Sequence, residues 1–423
     1  MTTLSPEAAW AAGGLARLTG LRDGPTDFTR AGILSLADAV AGGFTARTGV
    51  RIDVPVELGG RAALSGASRR GRVSVGGASR LLPTRDGWCA LTLSRTADLE
   101  AIPALLEAAA PPEDPWAAVA AWAAQRPSAA VTERARLLDI PAATLGEADA
   151  APPRVRPLGE RSHPRPVAEC LVADLTSMWA GPLCGRLLAA AGATVVKVES
   201  PRRPDGPRHG SPVFFDWMNA GKLCYAADFD ADGAALRELL EVSDVVLEGS
   251  RPAALMRRGL GPDRIAHRPG RVWLRVTAYG TDGQDADRPG FGDDTAVAGG
   301  LVGVGDAGPV FCADAIADPL TGLESARAVA ESLARGGGEL IEVSMAAVAA
   351  TYAAIPPCPA DAPYAALAPT PPPRPASRAS ALGADTTAVR QVVAARRSRE
   401  GRATLTRGPR DAHMRAARRS HED

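Results

Sequence analysis

The chain has 423 residues, 46% of them hydrophobic, enough for two domains and a substantial core. Lys and Arg together number 48 and Asp and Glu together 48, so no net charge draws it toward nucleic acid or an anionic membrane. No apolar run is long enough to span a bilayer, and the first residues lack the basic-then-apolar order of a secretion signal, so a cytoplasmic location is expected.

The chain opens on one copy of a repeat. Residues Ala9 to Leu58 and Ala296 to Met345 each read as a loop, a long helix, a turn and a strand. The first copy is assigned to residues 1–75 and a smaller unit to 76–147. Residues 148–166, ADAAPPRVRPLGERSHPRP within Ala148 to Pro166, form the main linker, because its prolines interrupt any helix.

Next comes a unit with a clear period. Val172 to Ser200, VADLTSMWAGPLCGRLLAAAGATVVKVES, reads as strand, tight turn, amphipathic helix and strand, which makes one parallel βαβ unit. A parallel sheet opens a crevice at its strand ends, and a turn at Gly181-Pro182 is expected to bring a ligand close to the backbone there. The G-x-G-x-x-G fingerprint is missing, which argues against hydride chemistry on a dinucleotide. Lys197 and Lys222 are the only lysines. Lys197 reads either as a strand-end surface charge or as part of a KVE motif, and Asn219 with Lys222 as shaping a turn.

Beyond Tyr352, residues 353–378 are Pro-rich and read as a polyproline or disordered tether. Residues 379–423 hold a closing segment and a basic tail, where from Arg390 ten arginines face four acids, the composition of a solvated or frayed helix. The six cysteines are scattered without C-x-x-C spacing or nearby histidines, so they read as buried free thiols, with no metal site and no disulfide framework.

Several motifs then follow in order: MWAGP from Met178, KVESPRRP from Lys197, NAGK from Asn219, EGSRP from Glu248, GFGDD from Gly290, ADPLTG from Ala317 and ELIEVSM from Glu339. In this order they resemble the large domain of the class III CoA-transferases of the CaiB/BaiF type. That family contains formyl-CoA and carnitine-CoA transferases and 2-methylacyl-CoA racemases. The resemblance implies an α/β fold: a Rossmann-like parallel-sheet large domain over residues 167–352, with a smaller α+β domain. Residues 76–147 look like the family's small domain, which normally follows the large one, so the order is rearranged and the block that closes the large-domain core occurs twice. Two chains wound through each other are the family pattern. The duplicated block makes an intramolecular pseudo-dimer the alternative to a homodimer.

By the same resemblance the activity is CoA transfer from an acyl-CoA to a free carboxylic acid, with CoA as substrate and no other cofactor or metal. A carboxylate can carry the acyl group as a mixed anhydride and then CoA as a thioester. The matching nucleophile is Asp318 in ADPLTG, where an Asp before Pro319 also suits a helix N-cap. Asp314 is the competing carboxylate. In the first copy Arg30 falls opposite Asp318, so that copy is expected to be non-catalytic.

For CoA the resemblance selects Met178 and Trp179 as channel lining, Ser200 and Arg202, with Arg203 beside it, near the phosphates, Ala227 and Phe229 beside the adenine, Gly249 and Ser250 in EGSRP, and Arg257 on the phosphates. Apolar lining near Trp179 suggests a medium or hydrophobic acyl chain. Phe291 occupies the position of the racemase histidine, which disfavours epimerisation. Gly292 stands where transferases often have a carboxylate, leaving Asp293 or Asp294 to replace it only by a one-residue shift. A catalytically degenerate acyl-CoA binder is the remaining alternative.

Overall fold

The computed structural model describes residues 4–406. Its centre is a seven-stranded sheet in the order β4-β12-β9-β8-β5-β6-β7, and the strands are β4 (Arg154–Pro157), β5 (Leu171–Leu175), β6 (Thr194–Glu199), β7 (Leu223–Ala226), β8 (Val245–Glu248), β9 (Val272–Thr277) and β12 (Glu339–Ser344). All neighbours pair parallel except β4, which runs antiparallel to β12 at one edge. Continuous apolar runs such as Leu171–Ala173 and Val245–Leu247 lie buried in the middle strands, as a sheet covered on both faces demands.

One face packs on helices Ala180–Ala190 and Ala317–Ala334, with Leu183, Leu187, Leu320 and Leu323 in a core shared with N-terminal residues such as Trp10, Phe28 and Phe44. The other face packs on helix Gly233–Val242 and on the C-terminal helix Thr386–Thr406, whose Val389 and Val393 are buried there. The molecule is therefore an α/β structure with a parallel-sheet unit. A smaller α+β unit stands beside it: β1 (Ser79–Pro83), β2 (Trp88–Thr92) and β3 (Ala142–Thr144) pair antiparallel and share a separate core, including Leu91, Val119 and Val131, with their helices. The hairpin β10 (Val302–Gly305) and β11 (Gly308–Phe311) pairs only with itself.

Three local expectations are corrected. The strand expected at the end of the first repeat copy is absent: after helix Ile33–Thr48 the chain enters helix Val54–Ser65, where Asp53 accepts the Val56 amide at 3.3 Å and Pro55 occupies the first turn. A cap followed by proline starts a helix even in a β-branched run. The Pro-rich stretch is not a free tether. Phe28 N donates to Ala360 O, Cys358 N to Thr29 O and Leu367 N to Ala11 O, so residues 353–378 form a strap laid over the N-terminal helices. Finally, Gly181-Pro182 lies inside the first turn of helix Ala180–Ala190 rather than in a turn before it.

All six cysteines are free. Among the described residues no helix is long and apolar enough to cross a membrane, and no group of His, Cys, Asp and Glu side chains is arranged to hold a metal. The basic tail beyond residue 406 lies outside the described residues.

Candidate active site

A cavity of about 540 Å³ opens where β5, β8 and β9 end. Three segments build its walls: Thr176–Met178 after β5, Gly249–Arg251 after β8, and the end of β9 at Val276 and Thr277 with Ala278 beyond it. The small unit closes one side with Arg95 and Asp139, and Asp318 lies among the lining residues. This is the crevice at the carboxyl ends of parallel strands where α/β folds hold ligands.

Asp318 stands in the first turn of helix Ala317–Ala334, but Ile316 is the N-cap residue and no side chain caps that helix. The carboxylate instead reaches out of its own helix: its Oδ2 accepts the Gly292 amide at 3.1 Å, and the Ala180 amide stands close enough to favour its ionised form. These amides begin helices Gly292–Ala298 and Ala180–Ala190, so two helix N-termini converge on one carboxylate. Burial and, more weakly, the nearby Asp293 push Asp318 up to about 7, against the pull of Arg61 and the two amides. A carboxylate titrating near neutrality, half-buried at a cavity wall and aimed by fixed donors, suits nucleophilic work.

The residue at position 292 cannot carry a carboxylate. A Cβ on Gly292 would stand 2.4 Å from Asp318 Oδ2 and 2.4 Å from the Ala315 carbonyl oxygen, so only glycine lets this amide approach the Asp318 carboxylate. Asp293 and Asp294 do not replace it. Asp293 accepts Ser79 Oγ at 3.2 Å and the Ala315 amide at 3.1 Å, while Asp294 accepts Thr92 Oγ1 and the Phe291 amide, each at 3.0 Å. Both are held inside the protein, where burial drives Asp293 up to about 6 and Asp294 up to about 7. Asp314 is engaged as well: Arg61 Nε donates to its Oδ2 at 2.8 Å and Arg61 Nη2 to its Oδ1. Arg30, opposite Asp318 in the repeat, donates to the carbonyls of Gly300, Val302 and Ala353 and so ties the first copy to the hairpin and the strap.

The loop after β5 is held from beneath by the two lysines. Both are fully buried, which corrects the surface reading of Lys197. Lys197 pairs with Asp205 at 2.8 Å and donates to the Thr176 carbonyl, and Asp205 in turn accepts the Met178 amide at 2.9 Å. Lys222 pairs with Asp174 at 2.8 Å and donates to the Pro182 carbonyl at 2.9 Å and to Asn219 Oδ1 at 3.0 Å. Met178 takes φ 73°, an uncommon angle for a side-chain-bearing residue, and it is these buried pairs that hold it there.

Of the residues selected for CoA, Met178, Gly249, Ser250 and Arg257 line the cavity with Asp318. Trp179 does not: it is 2% exposed, packs edge-on against Phe214 with ring centroids 5.4 Å apart and belongs to the core. The apolar acyl pocket inferred from Trp179 loses its basis with it. Arg202 turns away to pair with Asp228 at 2.8 Å, and the neighbouring Arg203 lines the cavity instead. Ser200 accepts the Arg203 amide in the turn that makes this exchange. Ala227 is buried and Phe229 packs against the second hydrophobic core, and neither is among the residues that line the cavity. Sequence reasoning missed Arg95, Asp139, Arg251 and Arg288 on the wall, and Arg61 behind it. Of these only Arg251, inside the EGSRP motif, carried a signal that could have revealed it.

The model of CoA-transferase family III matches residues 167–386. A succinyl-CoA–D-citramalate CoA-transferase of Chloroflexus aurantiacus is 31% identical over 205 residues, covering 44% of this chain and 51% of the relative. The succinyl-CoA–L-malate CoA-transferase beta subunit of the same organism is 35% identical over 172 residues, covering 37% of this chain and 42% of the relative. A CAIB/BAIF family protein from Brucella suis, known by its crystal structure, shares 29% identity over 44% of this chain and 55% of its own, with a TM-score of 0.40. The chain thus spans about half the length of the relatives it matches.

Proposed function

Because the chain belongs to CoA-transferase family III, we propose that it moves CoA from an acyl-CoA to a free carboxylic acid, with Asp318 as the covalent carrier. The single observation that carries this reading is the position of Asp318 on the cavity wall, held by the Gly292 amide. In the proposed cycle an oxygen of Asp318 attacks the thioester carbonyl, the C–S bond breaks and CoA leaves as a thiolate, giving a mixed anhydride. The thiolate then attacks the aspartyl carbonyl and releases the donor carboxylate, which leaves an aspartyl-CoA thioester. The acceptor carboxylate attacks that thioester and expels the thiolate, which finally attacks the acceptor's acyl carbon. A new acyl-CoA departs and Asp318 is free again. No net proton is taken up or released, so no acid–base partner is required, in keeping with Phe291 at the cavity wall.

Arg203 and Arg257 at the wall suit the phosphates of CoA. The intimate packing of the N-terminal helices on helix Ala317–Ala334 supports an intramolecular pseudo-dimer, with the cytoplasm as its setting. Sedimentation equilibrium should then return the mass of one chain, and a mass of two would restore the homodimer.

The central test is intact-protein mass spectrometry after incubation with a mixed acyl-CoA pool and a hydroxylamine trap. An adduct on Asp318 is expected, and its yield should rise tenfold per pH unit below pH 7 and level off above it. The sign follows from the chemistry: the ionised carboxylate attacks, and Asp318 is pushed up to about 7. Saturable CoA binding without any adduct would instead establish the alternative reading, a binder without transfer.

A further inference from the structure

Arg61 belongs to helix Val54–Ser65, inside the N-terminal segment that the repeat marks as non-catalytic. Its guanidinium grips Asp314 with two hydrogen bonds and lies over the Trp179 ring, 5.1 Å from the centroid. Each partner adjoins one of the structures that hold Asp318. Asp314, 2% exposed, sits between Ala313 and Ala315 at φ 52° and 44°, and this strained loop leads directly into the nucleophile. Trp179 precedes Ala180, whose amide stands close enough to Asp318 to favour its ionised form. A fork-shaped cation is the group suited to this double contact, with hydrogen bonds in its plane and an aromatic face beneath it.

Arg61 also supplies charge. Asp314, Asp293 and Asp318 all favour its protonated form, which ranks it as the shared counter-ion of three carboxylates. Around Asp318 the facing charges are Arg61 from helix Val54–Ser65 and Asp293 from helix Gly292–Ala298, while helix Ala180–Ala190 contributes a backbone amide. Arg95, Asp139, Arg203, Arg251, Arg257 and Arg288 line the cavity on its open side.

We propose that Arg61 is a positioning residue for Asp318, clamping the Asp314 loop against Trp179 and setting a positive charge behind the nucleophile. The N-terminal segment thereby completes the site instead of only covering it. The inference rests on Asp318 as the carrier, and its test has an arm that does not depend on turnover.

In the full-length chain, Arg61→Met and Arg61→Lys are compared with the parent and with Asp318→Ala. The first readout is the pH dependence with which a water-soluble carbodiimide labels Asp318 in the free protein, followed by peptide mapping. Arg61→Met should raise the labelling midpoint by about one to three pH units, the range an adjacent cation produces, while Arg61→Lys should keep it near that of the parent. An unchanged midpoint in Arg61→Met overturns the proposal. Should Arg61→Met fail to fold, Arg61→Gln keeps a hydrogen bond to Asp314 without the charge and is read the same way. The second readout is the hydroxylamine-trapped adduct: at pH 7 its yield in Arg61→Met should fall about fivefold or more and recover at higher pH, with CoA affinity unchanged. If the parent forms no adduct, the carrier reading fails while the labelling midpoint still decides the role of Arg61.

Discussion

Replacing Asp318 by asparagine is expected to lower CoA transfer by on the order of 10³-fold or more and to abolish the trapped adduct, with CoA affinity unchanged. The reason is geometric. The carboxamide has the shape of the carboxylate and can still accept the Gly292 amide, now at 3.1 Å from Oδ2, so the loops around it have no cause to move. What is lost is an oxygen able to attack a thioester and to leave again from an anhydride. The cationic walls that suit CoA, Arg203 and Arg257, stand on other loops and stay in place. Isothermal titration with CoA and a steady-state assay of thioester exchange separate the two quantities. Full exchange in the variant would sink the covalent mechanism, whereas parallel loss of binding and turnover would mean that Asp318 serves the architecture of the cavity.

Lys222→Met is expected to destabilise the fold by about 3–5 kcal/mol, the cost of leaving one member of a buried ion pair without its partner. Lys222 and Asp174 are both fully buried and 2.8 Å apart. The variant also strips a donor from the Pro182 carbonyl and from Asn219. Burial opposes ionisation of Asp174, but Lys222 and Lys197 together outweigh it and hold the carboxyl below its usual range. The stabilisation is therefore fully present above about pH 4 and is lost as the pH falls through the depressed value of the folded state. A urea titration at pH 7 measures the loss directly. Replacing both partners, Asp174→Leu with Lys222→Met, should recover much of it, since an apolar pair leaves no buried charge behind. A single variant with an unshifted midpoint would show that water reaches the pair.

The two expectations differ in how they could be read from the chain. Asp318 could be picked out as a candidate only through the resemblance of ADPLTG to the family pattern, since an Asp before Pro at a helix start reads by itself as a cap. Its neighbours were legible only in part. At Arg202 and Arg203 the choice of which guanidinium faces the cavity is a one-residue alternation, settled by the turn at Ser200 and by Asp228, which captures Arg202. Trp179 reads identically as a channel wall or a core residue. The presence of Phe214 and Arg61 beside its ring decides for the core.

The parallel βαβ unit, the motif order of the large unit and the even charge were all legible in the chain, because each depends on residues close together or on composition alone; Asp318 was marked only through the family resemblance of its motif. The tertiary structure alone decided that Arg61 meets Asp314 across 253 positions, that the Pro-rich strap lies on the N-terminal helices, that Lys197 and Lys222 are buried and that glycine is required at position 292. Those facts depend on which surfaces meet when the N-terminal segment packs on helix Ala317–Ala334. A meeting of surfaces leaves no period in the sequence, because its two halves are each satisfied by ordinary residues until they are brought within hydrogen-bond reach.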